Sequence, residues 1–189
     1  IEQAPVYSEW RRNGVQVYFV VYDLLPVLMP KVFRDVIAPI HAQWLTTLAQ
    51  TDGVLCISRA VADDMADWLS VFGGDRLRPF KLGWFHLGGD VAGSIPSTGL
   101  SADSEHVLNA LSSRPSFLMV GTLEPRKGHM QAFAAFEQLW DQGVNVNLVL
   151  VGQVGWNVDL LIEMIRKHPE LNRRLFWLEG ISDEYLEKV

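Results

Sequence analysis

The sequence predicts an α/β protein built as two halves, each around a parallel sheet. Three observations lead there. Short apolar runs alternate with longer stretches of helical period on both sides of the chain's middle. Several of those runs are almost continuously apolar and rich in Val, Ile, Phe and Tyr, which suits parallel strands covered on both faces. Between the halves, Leu87 to Asp103 is rich in Gly, Ser and Pro and keeps no period, which marks a linker.

Val15 to Tyr22 (VQVYFVVY) is the first strand. Asp23-Leu24-Leu25-Pro26 follows at its C-terminal end, where ligands sit in open α/β sheets. Asp23 is therefore a site candidate, although Asp is also a common turn residue. Ile37 to Gln50 is a helix whose expected apolar stripe is Ile37, Ile40, Trp44 and Leu48, with His41 read as a packed or partly exposed histidine. Thr51-Asp52-Gly53 ends it, and Val54 to Ile57 is a short buried strand containing the single cysteine, Cys56. Ser58 caps a helix to about Val71, with Val61, Met65, Trp68 and Leu69 inward. Pro79 to Phe85 is a further strand.

Beyond the linker, Glu105 to Leu111 is a short helix. Phe117 to Val120, Val144 to Val151 and Leu175 to Leu178 are strands. Helices run from about Met130 to Trp140, from Val158 to Lys167 and from Asp183 onward. Phe133, Phe136 and Trp140 belong to the core. Gly152-Gln153-Val154-Gly155-Trp156 is a glycine-bearing loop after a strand, yet it lacks both the dinucleotide fingerprint and the G-K-[ST] ending of a phosphate loop. That pattern argues against a nicotinamide enzyme and an ATPase.

The most informative stretch is Ser116 to His129, SFLMVGTLEPRKGH. An apolar strand breaks at Gly121, and a polar turn carries Arg126 and Lys127 into a helix start. This is the layout of an α/β phosphate site. Glycine lets a ligand approach the backbone, and first-turn N–H groups favour an anion. Arg grips phosphate oxygens with a planar fork, whereas Lys acts as a point charge. A surface turn with two solvated charges has the same local pattern, so wider context must decide.

The chain has 189 residues, 49% of them apolar, enough for one large domain or two small ones. A formal charge of −6 argues against a nucleic-acid binder, which would normally show a basic face. One cysteine excludes an intrachain disulfide and suits a reducing compartment. Val15 to Met29 is interrupted by Asp23 and Pro26 and falls short of a membrane span. The start at Ile1 and the end inside a helical pattern lead us to expect a fragment of a longer protein.

VGTLEPRKGH (Val120 to His129) resembles the first motif of the nucleotide-sugar domain in group 1 (family 4) retaining glycosyltransferases of the GT-B fold, especially bacterial polysaccharide mannosyltransferases. Five further segments resemble that family: the Asp23 loop, DGVLCISRAVADDM, the His86 to Asp90 crossing, LVGQVGW and WLEGISDEYL. The resemblance implies two incomplete Rossmann-like halves: residues 1–86 on the acceptor side, 87–114 as linker and lead-in, and 115–189 on the donor side. It implies transfer of a hexose with retention from a nucleotide-diphosphate sugar, GDP-mannose being the candidate, to a saccharide or lipid-linked saccharide in polysaccharide (O-antigen, lipopolysaccharide) synthesis. No cofactor, metal or nucleic acid is expected. The expected location is the cytoplasm, with peripheral contact at the inner membrane.

By the same resemblance, Arg126 and Lys127 neutralise the donor diphosphate, with Gly121, Thr122 and Gly152 beside it and the Ile181 backbone near the base. Many relatives carry Arg where Thr122 stands. On the acceptor side the implied residues are Tyr22, Asp23, Ser58 and Arg59. Tyr22 replaces the family's His, and a plain helix cap explains Ser58 equally well. The family's acidic E-x7-E segment and its first glycine-rich loop are absent, so this stretch alone is expected to be inactive. Two alternatives stay open: a non-catalytic nucleotide-sugar-binding module and a GT-B sugar-nucleotide epimerase.

Overall fold

A computed structural model describes residues 3–74, 78–89 and 95–189. The chain divides into two compact units, Ile1–Asp90 and Val91–Val189. Part of the expected linker, residues 90–94, lies outside the described residues.

In the first unit the strands are β1 (Tyr18–Val21), β2 (Gly53–Cys56) and β3 (Lys81–Trp84), paired parallel in the order β1-β2-β3. The helices are α1 (Ala4–Arg12), α2 (Leu25–Leu28), α3 (Ile37–Ala49) and α4 (Arg59–Phe72), with a 3-10 turn at Pro30–Val32. In this register Phe19 and Val21 share a face with Val54 and Cys56. Val21, Val54 and Cys56 pack with Leu24 before α2, with Leu45 and Leu48 of α3, and with Met65 and Trp68 of α4. Burial pushes the Cys56 thiol up to about 11, as befits an inert core residue.

Two expectations fail in this unit. On the other face Tyr18, Val20 and Leu55 stay exposed, so among the described residues this sheet is covered on one side only. On α3 the buried positions are Leu45, Leu48 and Ala49, while Ile37 and Ile40 are exposed. The stripe is rotated because α3 meets the sheet through its C-terminal half.

Helix α1 was not expected. It has no fully buried residue, and Tyr7 packs edge-on against Phe19 with ring centroids 5.1 Å apart. Its anchor is a bidentate pair, Arg11 Nη2 to Asp52 Oδ1 at 3.0 Å and Nε to Oδ2 at 3.1 Å. Asp52 also accepts the Val17 N–H at 2.9 Å. Burial alone would raise the Asp52 pKa, but the Arg11 hydrogen bond and charge and the Val17 N–H together hold it below the usual carboxylate range. A depressed folded-state pKa means stability present above the unfolded value and lost as pH falls through the folded one. Asp52→Asn should therefore lower stability at pH 7 by about 1.5–3 kcal/mol. Urea midpoints of the two proteins should draw together as pH falls from about 3.9 through the lower folded-state pKa of Asp52. Equal midpoints at pH 7 would show that the pair does not anchor α1.

In the second unit the strands are β4 (Ser116–Val120), β5 (Asn147–Val151) and β6 (Leu175–Leu178), parallel in the order β4-β5-β6. The helices are α5 (Ser104–Ser112), α6 (His129–Asp141), α7 (Asp159–Lys167) and α8 (Asp183–Lys188). Here both faces of the central strand are covered, and every residue of β5 is buried. Leu148, Leu150 and Leu175 pack under α6 and α7 with Phe133, Phe136, Trp140, Leu161 and Ile165. Val149, Val151, Phe176 and Leu178 pack with Val107 of α5 and Tyr185 of α8. β4 is an edge, with Phe117, Leu118 and Val120 exposed.

Strand β5 begins three residues later than the apolar run suggested, because the preceding residues close α6. Val144 N–H donates to Leu139 O at 2.9 Å, and Trp140 Nε1 donates to Val146 O at 2.9 Å. Buried Asn147 then joins three elements, donating from Nδ2 to Ala110 O at 3.1 Å and to Ser116 Oγ at 2.9 Å.

Candidate active site

The loops leaving the C-terminal ends of β4 and β5 run against each other. Gly121 N–H donates to Val151 O at 2.8 Å, Leu123 N–H to Gln153 O at 2.9 Å, and Gly155 N–H to Leu123 O at 2.9 Å. Gly152 N–H donates to Leu178 O at 3.0 Å, which ties in β6. The fit needs glycine. A Cβ on Gly152 would stand 2.0 Å from Gly121 O, and one on Gly155 would stand 2.5 Å from Leu123 O. The sheet thus ends in a seam of bare backbone, which a ligand can approach closely.

A 3-10 turn, Pro125–Lys127, carries the chain over this seam to the start of α6. The cap residue of α6 is Gly128 (φ 75°), and no side chain caps the helix. Its first-turn N–H groups therefore remain available to an anion. Lys127 folds back over the end of β4, with Nζ 4.0 Å from where a Gly121 Cβ would stand. Thr122 is exposed beside it. Arg126, 29% exposed, pairs through Nη2 with Glu124 Oε1 at 2.5 Å, and that carboxylate is only 2% exposed. His129 is buried, and its Nδ1 has no partner among the described residues. Burial pushes the His129 pKa down; hydrogen bonding to the Glu124 backbone and the Glu124 charge partly offset this, and Lys127 reinforces it.

At the end of β6, Ile181 is partly buried against the cluster that contains Val107, Phe176 and Tyr185. Ser182 caps α8 by accepting the Tyr185 N–H at 3.0 Å. The segment before α5 is pinned to this cap: Ser97 donates from N and Oγ to Asp183 Oδ2 at 2.8 and 2.7 Å, and Ser182 Oγ donates to Gly99 O at 2.6 Å. These Ser97 bonds hold the Asp183 carboxyl below its usual range.

The remaining candidates lie in the first unit, at the C-terminal ends of β1 and β2. Tyr22 is 61% exposed. Asp23 Oδ1 accepts the Leu25 N–H at 3.1 Å, a turn that starts α2. Ser58 caps α4 by accepting the Val61 N–H at 3.2 Å. Arg59 makes a long contact, 3.8 Å, with exposed Asp63. The strands thus bring Gly121, Thr122, Arg126, Lys127, Gly152 and Ile181 to one edge of one unit, and Tyr22, Asp23, Ser58 and Arg59 to one edge of the other.

Among the described residues no group of three or more His, Cys, Asp or Glu is arranged to hold a metal ion. No described helix is long and apolar enough to cross a membrane. Sequence reasoning gave no role to Glu124, named Gly155 only as part of a glycine-bearing loop, and did not foresee the Ser97–Asp183 contact. A carboxylate two residues before Arg126, in a loop read as an anion site, was the available signal for Glu124. The Ser97–Asp183 contact spans 86 residues and has no local signature.

Residues 103–189 match the family described as glycosyl transferases group 1. Over 183 residues, 95% of the chain, the sequence is 45% identical to "Serotype-specific mannosyltransferase WbdA" of Escherichia coli. Two further sequences of that name from the same organism are 44% identical over the same span. The chain spans 22% of the length of these relatives. Its two parallel three-stranded sheets agree with the Rossmann-like halves of a GT-B enzyme. The second unit, whose β4 loop carries Lys127 over a glycine seam beside an uncapped helix start, is a group 1 glycosyl transferase domain.

Proposed function

We propose that this chain is part of a retaining glycosyltransferase that moves mannose from GDP-mannose to a saccharide or lipid-linked saccharide acceptor in O-antigen-type polysaccharide synthesis. The observation that carries the reading is Lys127, whose ammonium leans over Gly121 beside the uncapped start of α6. A nucleotide diphosphate laid across the β4–β5 seam would meet backbone N–H groups, a helix start and this cation together. Charge grows on the diphosphate as the glycosidic bond breaks, so these groups act most strongly in the transition state. Gly121, Thr122, Arg126 and Gly152 border the diphosphate, and the Ile181 backbone borders the base. Tyr22, Asp23, Ser58 and Arg59 serve the acceptor side. Mannose is supported by the relatives, which are named as mannosyltransferases. The reaction takes place in the cytoplasm, with the protein peripheral at the inner membrane.

The test is turnover of the full-length parent protein with GDP-mannose and a mannosyl acceptor, with the anomeric configuration read by NMR. An α-linked product from the α-linked donor is expected. Donor binding without any transfer would make the protein a binding module, and an isomerised donor formed without acceptor would make it an epimerase.

Asp23→Asn keeps the Oδ1 that accepts the Leu25 N–H and removes the charge. In the full-length enzyme it should cut turnover about tenfold or more with little change in melting temperature. Wild-type turnover with a lower melting temperature would assign Asp23 to the turn alone.

A further inference from the structure

Glu124 has no role in the family resemblance or in the reading above, yet it is the most buried charged residue of the β4 loop. Its Oε1 meets Arg126 Nη2 at 2.5 Å. Its Cβ lies 3.4 Å from where a Cβ on Gly155 would stand, so the side chain is rooted in the seam between the two loops. Burying a carboxylate is costly unless it is paired, and the pair here joins a fixed carboxylate to a partly exposed fork. A turn that merely displayed solvated cations would have no use for it. The guanidinium has five N–H donors in a rigid plane, so holding one Nη2 orients the others.

We propose that Glu124 is a positioning residue: it anchors the Arg126 guanidinium at the seam so that its remaining N–H groups face the donor diphosphate. Glu124 and Arg126 then cancel in charge, and Lys127 supplies the loop's net positive charge. This rests on the donor-site reading above.

The sign of one substitution separates positioning from simple charge. Glu124→Gln removes a negative charge beside the diphosphate, so charge alone would tighten donor binding. Loss of the held fork would weaken it. We expect calorimetry of GDP with the full-length protein to show binding weakened about fivefold or more in Glu124→Gln. In an Arg126→Ala background the same change should alter binding by less than about twofold. Arg126→Lys, which keeps the charge and loses the fork, should weaken binding nearly as much as Arg126→Ala and covers the case in which Glu124→Gln does not fold. Unchanged or tighter binding in folded Glu124→Gln, equal loss in both backgrounds, or full binding by Arg126→Lys would overturn the proposal. Lys127→Ala separates it from the donor-site reading. Wild-type GDP binding there would sink the donor site itself, whereas weakened binding there with an unaffected Glu124→Gln would sink only the positioning role.

Discussion

In the full-length enzyme, Lys127→Ala is expected to lower both donor affinity and kcat. The ammonium stands beside Gly121 at the end of β4, next to a helix start that no side chain caps. A charge-assisted hydrogen bond contributes about 1.5–3 kcal/mol. That corresponds to roughly ten- to a hundredfold in kcat/KM. Part of the loss should fall on kcat, because the diphosphate gains charge as the sugar leaves. The side chain is exposed, so the fold should be indifferent and the melting temperature should move little. Single-turnover rates and donor titrations on the purified variant decide the matter. Wild-type values for both would leave Lys127 a solvated turn residue and remove the donor-site assignment.

Gly152→Ala should damage the fold and the site together. The added methyl would stand 2.0 Å from Gly121 O and 2.6 Å from its carbonyl carbon, both backbone atoms that no rotamer change can move. Gly152 also has φ +153°, a conformation that L side chains rarely adopt. Overpacking costs about 1–3 kcal/mol. The backbone conformation adds about 1–3 kcal/mol. Relief would come from parting the two loops, which breaks the Gly121–Val151 and Leu123–Gln153 bonds. A lower melting temperature and lost donor binding are therefore expected together. Gly143→Ala is the control: it too has positive φ, but its methyl would meet nothing within 4 Å, so only the backbone cost applies. If Gly152→Ala melts no lower than Gly143→Ala, the seam is looser than its geometry implies.

All six strands were legible in the sequence, most of them as compact apolar runs; β3 carries Lys81 and Gly83 and was read from the wider stretch Pro79 to Phe85. So was the cap at Ser58, where a hydroxyl precedes a helical period. Helix α1 was not legible, since it has no fully buried residue and its anchor, the salt bridge to Asp52, lies far along the sequence. The stripe of α3 was misplaced because period alone does not say which half of a helix meets the sheet. The apolar character of β1 suggested two covered faces, yet Tyr18 and Val20 remain exposed, since hydrophobicity records what a strand can bury and not what lies over it.

By itself the sequence determined the parallel α/β character, the division into halves around a glycine-rich stretch, and the placing of Lys127 at a strand–glycine–helix junction. These follow from local period, turn chemistry and order along the chain. Only the tertiary structure decided that Gly152 and Gly155 are required by a neighbouring backbone, that Arg126 is held by a buried carboxylate, and that Ser97 is pinned to Asp183. Those are distances between atoms that folding brings together, and no residue pattern encodes a distance until the strands have paired.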